Sequence, residues 1–107
     1  MIQIVYERQL HKLTVKGHAG AGKADAYDMV CSGVSALVFT LAENVTALNA
    51  AGQVDEPTVY LEPGNSHISC RPYEGTKNII TLVFDTLCIG FEMLASNAPE
   101  FISYRMV

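Results

Sequence analysis

Apolar positions recur with two periods along this chain, and the changes of period divide it into seven elements. At residues 2–7, Ile2, Ile4 and Tyr6 alternate with their neighbours, and at 12–17 Leu13 and Val15 repeat at the same period. Both segments therefore read as strands, with the polar Arg8-Gln9-Leu10-His11 as their hairpin connection. From Asp28 the period lengthens. Val30, Val34, Leu37, Val38, Leu41, Val45 and Leu48 fall on one helical stripe, with Asp28 as N-cap and Gly52 where a helix can stop. Thr58 to Glu62 and His67 to Arg71 return to short strands around the turn sequence Pro63-Gly64-Asn65-Ser66. A second helix is expected from about Thr76 to Ser96, on the stripe Ile80, Val83, Phe84, Leu87, Phe91 and Leu94. Pro99 follows it, and Phe101 to Met106 makes a last strand. The order β-β-α-β-β-α-β predicts one α+β domain over residues 1–107. It is an α/β two-layer arrangement, a mixed, mostly antiparallel sheet covered by two helices.

Composition narrows the function classes. The chain is 50% apolar and 17% charged, which suits a globular domain. Its formal charge of −4 and scattered Lys and Arg argue against nucleic acid as the main ligand, since phosphate binding needs a basic face. A basic peptide or protein remains a suitable partner. The first residues alternate like a strand and do not resemble a secretory signal. The apolar stretch from Ile79 to Leu94 is interrupted by Asp85 and Glu92, so no membrane span is expected. Three cysteines without paired spacing fit a reducing cytoplasm better than a disulfide framework.

The chemistry concentrates between the second strand and the first helix. Residues 17–27 hold three glycines and four alanines, a long loop for so small a domain. It opens with Gly17-His18-Ala19-Gly20, and Gly22 lies further along it. Small neighbours on both sides of His18 leave room for a substrate backbone. With Asp28 capping, Cys31 takes the third helical position, where unpaired N–H groups and the helix dipole favour a thiolate and an oxyanion beside it. Cys and His so placed are the minimum for nucleophilic catalysis. Asp28 either caps the helix or orients His18, and Ser35 stands one turn beyond Cys31 on the same side. Cys70 in a strand and Cys88 in the second helix read as core residues, and His11 and His67 as solvated.

Two rival chemistries fit less well. Gly17-His18-Ala19-Gly20-Ala21-Gly22-Lys23-Ala24 approaches a phosphate-binding loop but carries Ala24 where a hydroxyl should hold Mg²⁺. His67 and Cys70 lack a second ligand pair for a metal, so neither metal nor cofactor is expected.

The segments Gly17-His18-Ala19-Gly20 and Asp28-Met29-Val30-Cys31-Ser32-Gly33-Val34-Ser35 closely resemble the signature of the ribosomal-processing cysteine protease family, Prp. Length and element order fit over essentially the whole chain. One departure is that Ala26 and Tyr27 stand where the family commonly has a glycine. The resemblance implies a cytoplasmic, homodimeric endopeptidase that removes the N-terminal extension of large-subunit ribosomal protein twenty-seven. The cut falls after an aromatic pair and before a small residue. It implies His18 as base and Cys31 as nucleophile. Asp28 and Ser35 would be supporting residues, and the Gly17, Ala19, Gly20, Gly22 loop would contact substrate. A non-catalytic dimeric assembly factor for a basic partner is the alternative.

Overall fold

The computed structural model describes residues 1–18 and 24–107, and of residues 24–30 the backbone alone. The elements are β1 (Ile2–Glu7), β2 (Lys12–Lys16), α1 (Ala24–Ala50), β3 (Val54–Glu62), β4 (Asn65–Pro72), α2 (Lys77–Asn97) and β5 (Ile102–Met106). The predicted order is thus the observed one. The sheet runs β3-β4-β2-β1-β5, with β1 and β5 parallel and every other pair antiparallel.

Period-two patterning sets the register. Tyr6 pairs with Leu13, Leu13 with Ile68 and Ile68 with Val59, while Ile4 pairs with Val15. Tyr6, Leu13, Ile68, Ile4 and Val15 are all buried, so a one-residue slip would turn this whole row to solvent. Against it lie Val34, Val38, Leu41 and Val45 of α1 and Ile80, Phe84, Cys88 and Phe91 of α2. The helices interlock through two glycines. A Cβ on Gly33 would meet Leu94 at 3.3 Å, and one on Gly90 would meet Leu37 at 2.8 Å. Each leucine fills the notch left by the opposite glycine, which explains why the helices tolerate the propensity cost of glycine.

Several details correct the sequence reading. α1 begins at Ala24, four residues before the expected cap, so Asp28 lies inside the helix and Cys31 is its eighth residue. Ala24 and Ala26 are strong helix formers, and the run from Ala24 to Ser32 contains no glycine or proline, so propensity carries the helix past the cap-type residue. The C-terminus behaves as expected. Gln53 N–H donates to Leu48 C=O and Gly52 N–H to Asn49 C=O, with Gly52 at φ +71°, a Schellman ending. Among the described residues, the Cys31–Ala50 part of α1 and α2 are long and apolar enough to cross a membrane by length and composition, despite Asp85 and Glu92. Each also lays one face on the sheet.

His11 is not solvated. The short 3-10 turn Arg8–Leu10 and a left-handed His11 at φ 48° fold the hairpin connection against α2. The ring is 3% exposed and stands edge-on to Phe84 at 5.9 Å, with Nε2 2.7 Å from Thr81 Oγ1. Beside it, Asp85 accepts from Tyr6 Oη at 2.8 Å and pairs with Arg8 at 3.0 Å. Asp85, which in sequence mimics the end of a nucleotide-binding strand, is occupied in holding β1 to α2.

Candidate active site

β2 is followed by Gly17, whose φ of +96° turns the chain out of the sheet. A Cβ there would collide with the Met1 carbonyl, so only glycine fits. Gly17 N–H donates to Gly64 C=O at 3.0 Å, tying the exit of β2 to the β3–β4 turn. His18 follows and lays its ring on that turn. A Cβ on Gly64 would come within 2.5 Å of His18 Nε2, and Gly64 itself is at φ +76°. The Met1 ammonium donates to the His18 carbonyl.

On the opposite wall α1 presents Cys31, half-buried against the core, and Ser35, exposed one turn on. His18, Cys31 and Ser35 line one cavity of about 380 Å³. Ile2, Val15, Val34, Val38, Phe39 and Leu61 make it predominantly apolar, and Glu62, Asn65 and Ser66 add a polar rim from the β3–β4 hairpin. The sequence-predicted nucleophile and base thus share one hollow. Among the described residues no hydrogen bond joins them, and none links the Ser35 hydroxyl to the Cys31 carbonyl.

Gly17 lies at the rim as expected, whereas Ala19, Gly20 and Gly22 and the Asp28 side chain lie outside the described residues. The helix-start contribution needs correction. Cys31 is two turns from the first residue of α1, and the dipole's effect falls off within the first turn. The other two thiols are chemically quiet. Burial pushes Cys70 up to about 11 and Cys88 up to about 12, so neither forms a thiolate near neutral pH. All three cysteines are free, and the described residues contain no cluster of metal-ligating groups.

Sequence reasoning missed the hairpin's part in the site. Pro63-Gly64-Asn65-Ser66 was legible as a turn, and nothing local in it signals that it closes over a histidine far upstream in the chain.

A half-buried thiol and an exposed imidazole at one apolar hollow suit thiol-dependent cleavage of an extended peptide. Residues 1–103 match the family model described as cysteine protease Prp. The chain belongs to the Prp family of cysteine proteases. Solved structures share its fold. SMU.848 from Streptococcus mutans superimposes with a TM-score of 0.68 at 26% identity, covering 100% of this chain and 94% of that one. An essential ribosomal processing protease Prp from S. aureus, in complex with a substrate peptide, gives 0.69 at 20% identity, over 99% and 97%. The same protease with a covalently linked product peptide gives 0.70 at 20%, over 99% and 97%. No curated protein sequence matches the chain. The Prp fold accounts for the two helices and the mixed five-stranded sheet described above.

Proposed function

We propose that this Prp-family protease removes the N-terminal extension of large-subunit ribosomal protein twenty-seven, cutting after an aromatic pair and before a small residue. Cys31 is the nucleophile and His18 the acid–base residue. The observation that carries this reading is the shared cavity, whose apolar walls Val34, Val38, Phe39 and Leu61 suit an aromatic side chain beside the thiol.

The Cys31 thiol gives its proton to His18, and the thiolate sulfur bonds to the scissile carbonyl carbon. Ser35 donates its hydroxyl to the oxyanion, a contribution of about 3 kcal/mol in sites of this type. The C–N bond then breaks as His18 returns the proton to the departing amine, leaving a thioester. Water, deprotonated by His18, attacks the thioester and releases the carboxylic acid and the free thiol. A cytoplasmic homodimer that binds no nucleic acid is consistent with the free thiols and the net charge of −4.

The test is incubation of the purified protein with a peptide carrying an aromatic pair and a following small residue, with products read by mass spectrometry. Cleavage at that junction is expected, with loss of cleavage but not of folding in Cys31→Ala and Cys31→Ser. Full activity in either variant overturns the mechanism. A folded wild-type protein that binds the peptide without cutting it favours the assembly-factor role.

A further inference from the structure

Among the described residues, His18 is a base without a holder. A neutral imidazole takes a proton from Cys31 only if its other nitrogen already carries one, and a partner for that N–H fixes the ring and its tautomer. Among the described residues no side chain is bonded to the His18 ring. A second polar group in the same cavity is in the complementary position. Asn65 Oδ1 is buried and lacks a hydrogen-bond partner, the only such buried side-chain atom among the described residues.

The two groups are brought together by the turn between β3 and β4. A Cβ on Gly64 would meet the His18 ring, nearest at Nε2, and Asn65 is the next residue, lining the cavity with His18 and Cys31. The turn is anchored on both sides. Gly64 C=O accepts from Gly17 N–H, and Asn65 pairs with Lys16 of β2 and Glu62 of β3. A side chain on so fixed a backbone is suited to orienting another group. An acceptor kept out of water and unpaired carries a penalty that a donor reaching it removes, and the His18 ring is an exposed donor in the same cavity.

We propose that Asn65 is the positioning residue of the site. When the dyad is engaged, Asn65 Oδ1 accepts the His18 Nε2–H, and Nδ1 then faces Cys31 to receive the thiol proton. This inference rests on the cysteine-protease reading above and adds a third, amide member to the pair. It also separates the roles of two residues. Asn65 orients the imidazole from the sheet side, which leaves Asp28 free to act within α1.

The experiment uses the full chain with three substitutions and two readouts. Asn65→Ala removes the acceptor, and Asn65→Asp keeps an acceptor oxygen in the same shape. Steady-state cleavage of the aromatic-pair peptide should show kcat falling roughly tenfold in Asn65→Ala with KM within about twofold, and most of that loss recovered in Asn65→Asp. The second readout does not need turnover. In a Cys31→Ala background, ¹⁵N spectra of the His18 ring should show the Nε2–H tautomer held with peptide bound, and a mixture once Asn65→Ala is added. Among the described residues, the titratable groups that share the cavity with His18 are Glu62 from β3 and, in the wild type, Cys31 from α1, while the Met1 ammonium donates to the His18 carbonyl; the substitutions at 65 leave Glu62 and the ammonium in place. An unchanged kcat in Asn65→Ala, a rise in KM alone or an unaltered His18 tautomer overturns the proposal. A rise in KM alone assigns Asn65 to the peptide backbone instead. A wild-type protein that cuts no peptide overturns the protease reading and leaves the tautomer to decide this one.

Discussion

Two hollows flank the sheet of this protein, one polar and one largely apolar, and each contains a histidine. One lies under the 3-10 turn, with Arg8, His11, Lys77, Thr81 and Asp85, and encloses about 400 Å³. The other holds His18 and Cys31 and encloses about 380 Å³. Size does not tell them apart; satisfaction of the polar groups does. In the first, Asp85 is bonded to Tyr6 and Arg8, and His11 to Thr81. In the second, His18 and Asn65 have no side-chain partners among the described residues, and the thiol is half-buried. Groups that have used up their hydrogen bonds hold elements together, and groups left open are available to a substrate.

The sharpest way to break this comparison is to exchange the two histidines' fates. His18→Ala should lower kcat/KM by about 10²–10⁴-fold, the usual worth of a positioned acid–base group, with no change in the denaturation midpoint. His11→Ala should leave kcat/KM within about twofold and cost about 1–3 kcal/mol of stability, because Thr81 loses its partner in a partly buried setting. Urea unfolding and peptide cleavage measured on both variants decide the matter. If His11→Ala destroys activity in a folded protein, the first hollow is not merely structural.

A smaller effect is expected at Asp85. Its pair with Arg8 is substantially exposed on both sides, so the Coulombic part is worth little. Asp85→Asn keeps an acceptor for Tyr6 and should cost about 1 kcal/mol or less by urea titration, with cleavage unaffected.

The smallest signature is the pH dependence of stability. Burial first, and the Lys77 and Arg8 charges after it, hold His11 below the ordinary imidazole value of 6.5. As pH falls, the unfolded chain therefore takes up this proton before the folded one. The stability contributed by a neutral His11 is complete above about pH 6.5 and declines below it, down to the folded-state value. Melting temperature should fall across this window in the wild type and stay flatter in His11→Asn, which tolerates the left-handed backbone. The depressed Asp85, held down mainly by Arg8, loses its contribution in a separate and more acidic range.

Much of this was legible in the sequence because it is periodic. The alternation of Ile2, Ile4 and Tyr6 and the stripe from Val34 to Leu48 each report a face, and faces determine layers. What depends on a partner far along the chain was not legible. His11 looked solvated because its sequence neighbours are polar, and only Phe84 and Thr81, on α2, show otherwise. Gly33 and Gly90 read as weak points of two helices until Leu94 and Leu37 are seen filling them. The start of α1 was misplaced because Asp28 is a good cap and the alanines before it are better helix formers. His18, Cys31 and Ser35 were legible as a site because strand, loop and helix bring them together locally, whereas Asn65 reaches it through the sheet.

The pairing of β1 with β5 has a kinetic consequence. Every residue lining the active cavity lies between Ile2 and Ser66, yet β1, which contributes Ile2, takes its second neighbour from Ile102–Met106. On the ribosome the residues of the site emerge well before the strand that completes their sheet. Such long-range closure is slow and late, so proteolytic competence should arrive as a final step of folding rather than grow with the nascent chain.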